Sequence, residues 1–146
     1  MQNYNFYGSK TADVEPIDKK AKAKIKNPRD MYDLLLKCWC KDTCAPRLQD
    51  EWSEANPTLG QCSITAFLVQ DIFGGIVYGI ERPGGNFHCY NDVDGCIFDL
   101  TSEQFGDEAK DLVYEGNPRQ HRADHFEKTE EYNRYLFLKK QFEALL

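Results

Sequence analysis

Residues 62–73, CSITAFLVQDIF, are apolar around nearly the whole circumference of a helix. A helix with one polar face can lie on a surface, but one without such a face has to be enclosed by the rest of the chain. Gly74-Gly75 ends the run, because glycine accepts the left-handed conformation of a helix cap. Strand signals follow at once. Ile76 to Glu81 is the first, Asn86 to Asp92 the second after a Pro83-Gly84-Gly85 turn, and Cys96 to Leu100 the third. Asp94-Gly95 between the last two is a strong hairpin signal. A central helix beside a small antiparallel sheet predicts an α+β fold.

Two more helices are expected around this centre. Asn27-Pro28 reads as a cap and first helical residue, and Met31, Leu34, Leu35, Cys38 and Trp39 share one face of the helix that follows. Thr129 to Leu145 carries the stripe Tyr135, Leu138, Phe142 and Leu145. Residues 41–61 read as a long loop, of the kind that usually serves function. Residues 101–105 fit a short helical turn, and 106–126 show no periodicity. The compact domain is placed at 27–146. Residues 1–26 are expected as a basic extension, poorly ordered or helical.

The net charge of −6 is uneven: residues 1–29 hold seven Lys/Arg against three Asp/Glu. The remaining body is strongly acidic, which argues against nucleic acid as the main partner. The basic head reads as a solvated arm. No stretch has the roughly 18 apolar residues of a membrane helix. The start, MQNYN, lacks the pattern of a secretory signal, so a cytoplasmic protein is expected. In that compartment the six cysteines are expected as free thiols.

Cys62 stands where the loop enters the central helix. Backbone N–H groups and the helix dipole at that position favour thiolate, the reactive form of the side chain. His88, in the second strand, supplies an imidazole able to take and return the thiol proton. Asp99 lies one hairpin further on. A two-residue Asp94-Gly95 turn makes it a diagonal neighbour of His88, a four-residue loop sets it directly opposite, and a one-residue slip parts them. Its flanks, Phe98 and Leu100, predict a dry setting in which a carboxylate needs a partner. Cysteine, histidine and acid in these roles make a nucleophile, a base and an orienting group.

The order of Cys, His and Asp on helix and then hairpin resembles that of papain-like peptidases, transglutaminases and arylamine N-acetyltransferases. More specifically, CWCKDTC, NPTLGQCSITAFLVQDIFGG and FHCYNDVDGCIFDLTSEQF together resemble the YunG family of small bacterial proteins, over roughly residues 30–105. That resemblance implies a small papain-like core and carries Cys62, His88 and Asp99 over as a candidate triad. It implies no substrate. Cys40 departs from the pattern, which has serine after the tryptophan, and the basic extension lies outside it.

The expected activity is therefore hydrolysis or acyl transfer on an amide or ester, with an unidentified small-molecule or peptide substrate and no cofactor. The N–H of Cys62 is the first oxyanion candidate, with the amide of Asn56 or Gln61 as second. Trp39 and Trp52 are candidate cleft walls. Two other readings remain open. One is a non-catalytic binding or regulatory module on the same fold. The other is structural zinc held by the cysteines, which their spacing fits poorly. His121 and His125 read as a solvated pair. Oligomeric state is not legible.

Overall fold

The computed structural model describes residues 3–146. These residues form four α-helices, three strands and four 3-10 turns: α1 Pro28–Leu35, α2 Cys62–Phe73, β1 Ile76–Glu81, β2 Phe87–Val93, β3 Cys96–Phe98, α3 Arg122–Phe126 and α4 Thr129–Glu143, with the turns at Ala21–Ala23, Lys41–Thr43, Pro46–Glu51 and Ser102–Asp111. The α+β architecture expected from the sequence is present. Helix α2 is the centre, with Ile64, Phe67, Leu68 and Val69 all at 1% exposure or less.

Local chemistry explains the boundaries. The Asn27 side chain accepts from the N–H groups of Arg29 and Asp30, and Pro28 starts α1. This helix stops at Leu35, short of the expected Cys38 and Trp39, which turn into the core beyond it. At the end of α2, Gly75 is required by close approach. A Cβ there would meet the Asp92 carbonyl oxygen at 2.4 Å, and φ is +79°.

The strands form one antiparallel sheet in the order β1-β2-β3. Val93 pairs with Cys96 and Asn91 with Phe98, so Asp94-Gly95 is a two-residue turn, with φ positive at both residues. Ile80 pairs with His88 and Gly79 with Cys89. One face of β2 sends Cys89 and Val93 into the main core beside α2, where Asn91 also donates to the Ala66 carbonyl at 2.9 Å. The opposite face carries Tyr90, which packs with Ile80, Leu112 and Tyr114 in a second small cluster. The α4 stripe buries Tyr135, Leu138 and Phe142 in the main core.

The expected extension before residue 27 contains one 3-10 turn, Ala21–Ala23, in place of a basic helix. It also places Phe6, Ala12, Ala21 and Ile25 in the main core. The N–H groups of Ile17 and Asp18 donate to the Ile72 carbonyl, one of those α2 leaves unpaired at its end. Arg29 holds the segment through the carbonyls of Ser9 and Ala12 and the carboxylate of Asp13.

Candidate active site

The open edge of β2 is where the candidate residues gather. β3 ends at Phe98 and pairs only with residues 91–93, leaving residues 87–90 of β2 without a strand on that side. The Cys62 thiol, at the first position of α2, lies against this edge. It donates to the Phe87 carbonyl at 3.8 Å and receives the Cys89 N–H. No side chain caps α2, so its first-turn N–H groups are left unpaired by any cap.

His88 is buried, and its Nε2 lies 2.5 Å from Asp99 Oδ2, with both side chains 1% exposed. The carboxylate arrives from just beyond β3 and not from a paired strand position. The Asp99 N–H donates to the Tyr7 carbonyl at 3.0 Å, a bridge to the N-terminal segment. Three further donors fix the carboxylate. The Tyr114 hydroxyl donates to Oδ2 at 2.7 Å, and the Thr101 N–H and hydroxyl donate to Oδ1 at 3.2 Å and 3.4 Å. Tyr7 stacks on Tyr114, with ring centroids 3.8 Å apart. A buried carboxylate with this many partners has its desolvation offset.

The other imidazole nitrogen, Nδ1, is buried and has no partner in standard hydrogen-bond geometry. Its ionisable neighbour is the Cys62 thiol, close enough that each shifts the other's protonation. Burial, the largest influence, opposes charge on both groups. For His88 the Asp99 charge, its hydrogen bond and the Cys62 thiol outweigh burial and raise the pKa to about 10. For Cys62 the close approach and positive charge of the His88 ring, with the Cys89 N–H, outweigh burial and lower the pKa. Both shifts run in the direction of a thiolate beside an imidazolium. Burial drives Tyr114 the other way, assisted by the Asp99 charge, so its hydroxyl stays protonated and able to donate.

The secondary candidates are placed as follows. The Cys62 N–H has no acceptor among the described residues. The Asn56 amide nitrogen is engaged with the Gln104 carbonyl at 3.3 Å, and that of Gln61, which is fully buried, with the Cys40 carbonyl at 3.2 Å. Trp39 is 4% exposed and its indole donates to Thr65 Oγ1 at 2.9 Å. Trp52 donates to the Pro57 carbonyl. Both tryptophans border a hollow between Leu36 and Pro57, and neither borders the two hollows that meet at Cys62. Among the described residues no three His, Cys, Asp or Glu side chains are grouped to hold a metal ion, and all six cysteines are free.

Sequence reasoning missed three participants. Tyr114 and Tyr7 reach Asp99 from segments that show no periodicity. Gln104 accepts from the Gly60 N–H and donates to the Thr101 carbonyl, tying the loop before Cys62 to the turn after Asp99. Gly60 itself has φ +71°, and a Cβ there would meet Cys44 Sγ at 2.5 Å. His125 is a correction to the solvated pair. It is half-buried, with Nδ1 2.8 Å from Glu131 and Nε2 2.8 Å from Gln120.

The molecule is thus a small α+β protein with a thiol, an imidazole and a carboxylate gathered at the start of a buried helix. The YunG protein family model matches residues 27–146, and the chain belongs to that family. It is similar to the "Uncharacterized protein YunG" of Bacillus subtilis (strain 168), with 38% identity over 65 residues. That match takes in 44% of this chain and 56% of the relative's length. No solved structure matches the chain. No helix among the described residues is long and apolar enough to cross a membrane.

Proposed function

We propose that the protein is a cysteine hydrolase or acyltransferase acting on an amide or ester through Cys62, His88 and Asp99, on a papain-like core. The observation that carries this reading is the asymmetry of His88. One nitrogen is fixed by a buried carboxylate, and the other is left beside a thiol. In the proposed resting state that nitrogen holds the thiol proton. The Cys62 sulfur attacks the substrate carbonyl. The carbonyl oxygen takes the negative charge, and the Cys62 N–H donates to it. The tetrahedral species collapses as His88 Nδ1 gives its proton to the departing nitrogen or oxygen, leaving a thioester on Cys62. His88, now neutral, takes a proton from water or from an acceptor alcohol or amine. The resulting attack frees the acyl group and returns the thiolate–imidazolium pair. Asp99 holds the ring and its charge throughout.

The test is acyl-enzyme formation. Incubation with p-nitrophenyl acetate should release a burst of p-nitrophenolate and leave an acetyl group on Cys62, located by peptide mass spectrometry. Cys62→Ala and His88→Ala should each remove the burst. Acetylation spread equally over the cysteines would favour a non-catalytic module on the same fold.

A further inference from the structure

Two hollows meet at Cys62, and their charges differ. The one shared with α4 contains Lys128, Arg134 and one side of Arg47, which borders both hollows, but also Glu130 and Glu131, and Arg134 is paired with Glu130. The other has a volume of 280 Å³ and is bordered by Cys62 and His88. Its walls carry two guanidinium groups, Arg47 and Arg82, and no carboxylate. This is unexpected in a chain where Asp and Glu outnumber Lys and Arg 24 to 18. Among the described residues neither arginine has a carboxylate partner, whereas Arg29, Arg122 and Arg134 each have one. Arg82 lies over the Phe105 ring at 4.9 Å, a contact that fixes the guanidinium without neutralising it. Leu48, Leu59, Phe87 and Phe105 make the rest of the wall largely apolar.

Unpaired guanidinium groups above an apolar wall suit an oxyanion attached to a hydrocarbon chain. We infer that the Arg47–Arg82 hollow selects substrates whose acyl part is apolar and ends in a carboxylate or phosphate, setting the scissile carbonyl at Cys62. The inference rests on the thiol chemistry proposed above.

Charged and neutral alkylating reagents separate the two claims. Iodoacetate and iodoacetamide displace iodide at the same sulfur, forming the S–C bond, and differ mainly in charge. The ratio of their rates at Cys62, followed by peptide mass spectrometry, is compared with that of the neutral thiol N-acetylcysteinamide. His88 attracts iodoacetate in every variant it remains in, so the arginine share is the drop seen in the double variant Arg47→Gln/Arg82→Gln. The expected drop is roughly three- to tenfold, shrinking in about 0.5 M salt. An undiminished ratio in the double variant, with Cys62 still reacting fast with iodoacetamide, overturns the inference alone. A Cys62 slow with iodoacetamide overturns the underlying thiol chemistry and the inference with it. Protection of Cys62 against iodoacetamide then identifies the anion. Protection by 3-phenylpropionate indicates a carboxylate, and by phenyl phosphate a phosphate. Equal protection by 3-phenylpropionamide, or none by any of the three, overturns a role for charge.

Discussion

Among the described residues there are two histidine–carboxylate pairs, and they differ in what each ring has left over. In the first, His88 gives Nε2 to Asp99 and keeps Nδ1 buried, unpaired and beside a thiol. In the second, His125 spends Nδ1 on Glu131 and Nε2 on Gln120, with its ring edge-on to Phe67 at 5.2 Å. The second imidazole is saturated, so it can only hold α3 to α4. The first has one free nitrogen at the site where a proton has to move. Proximity to a carboxylate is common to both; the unspent nitrogen is what separates chemistry from scaffolding.

The largest expected effect tests that distinction directly. At about pH 6, His88→Ala should slow iodoacetamide labelling of Cys62 by roughly 30- to 300-fold. The thiol then returns toward its ordinary pKa, partly offset by the greater nucleophilicity of the more basic thiolate. His125→Ala should change that rate by less than about twofold, since it touches neither group. Next comes Asp99→Asn, which removes the charge that keeps His88 protonated and should cost about tenfold in the same assay. Glu131→Gln should leave labelling unaltered.

How much of this could be read in the sequence follows from the range of each interaction. The limits of α2 were legible because its apolar run and Gly74-Gly75 act locally, whereas the Asp94-Gly95 signal marked the β2–β3 hairpin but left its register open between a two-residue and a four-residue turn, of which the first is present. Asp99 was legible as a neighbour of His88 but not in its manner of approach, because β3 stops one residue before it. Tyr7, by its backbone, and Tyr114, by its hydroxyl, reach Asp99 across 92 and 15 residues of chain, which no local pattern encodes. Glu131 was overlooked as the His125 partner because the six-residue gap crosses the junction of two helices.

Smaller effects concern stability. Tyr114→Phe removes one donor from the buried Asp99 carboxylate and should cost about 1–3 kcal/mol in chemical denaturation. His125→Ala leaves the mostly buried Glu131 without its imidazole and should cost a similar amount, with no loss of thiol reactivity.

The pH dependence sharpens the comparison further. His88 has a raised pKa, so its contribution is complete below the unfolded value of about 6.5 and is lost as pH rises toward about 10. Cys62 has a lowered pKa, so its contribution is complete above the unfolded value and is lost as pH falls through the folded one. Between the folded pKa of Cys62, or about pH 6.5 if that is higher, and about pH 8.5, folding only moves a proton from sulfur to nitrogen, and the pair's contribution should be flat. Cys62→Ala leaves the raised histidine alone. Stability of that variant should then decline from about pH 6.5 upward, by at most about 1.4 kcal/mol per pH unit.

The most direct measurement is the protonation of His88 itself, read from the ring nitrogen shifts of the labelled protein by NMR as pH is raised. The resonance should be that of an imidazolium throughout the neutral range and should titrate near pH 10. A His88 that is neutral at pH 7, with Cys62 still carrying its proton, would contradict the thiolate–imidazolium pair and the chemistry built on it.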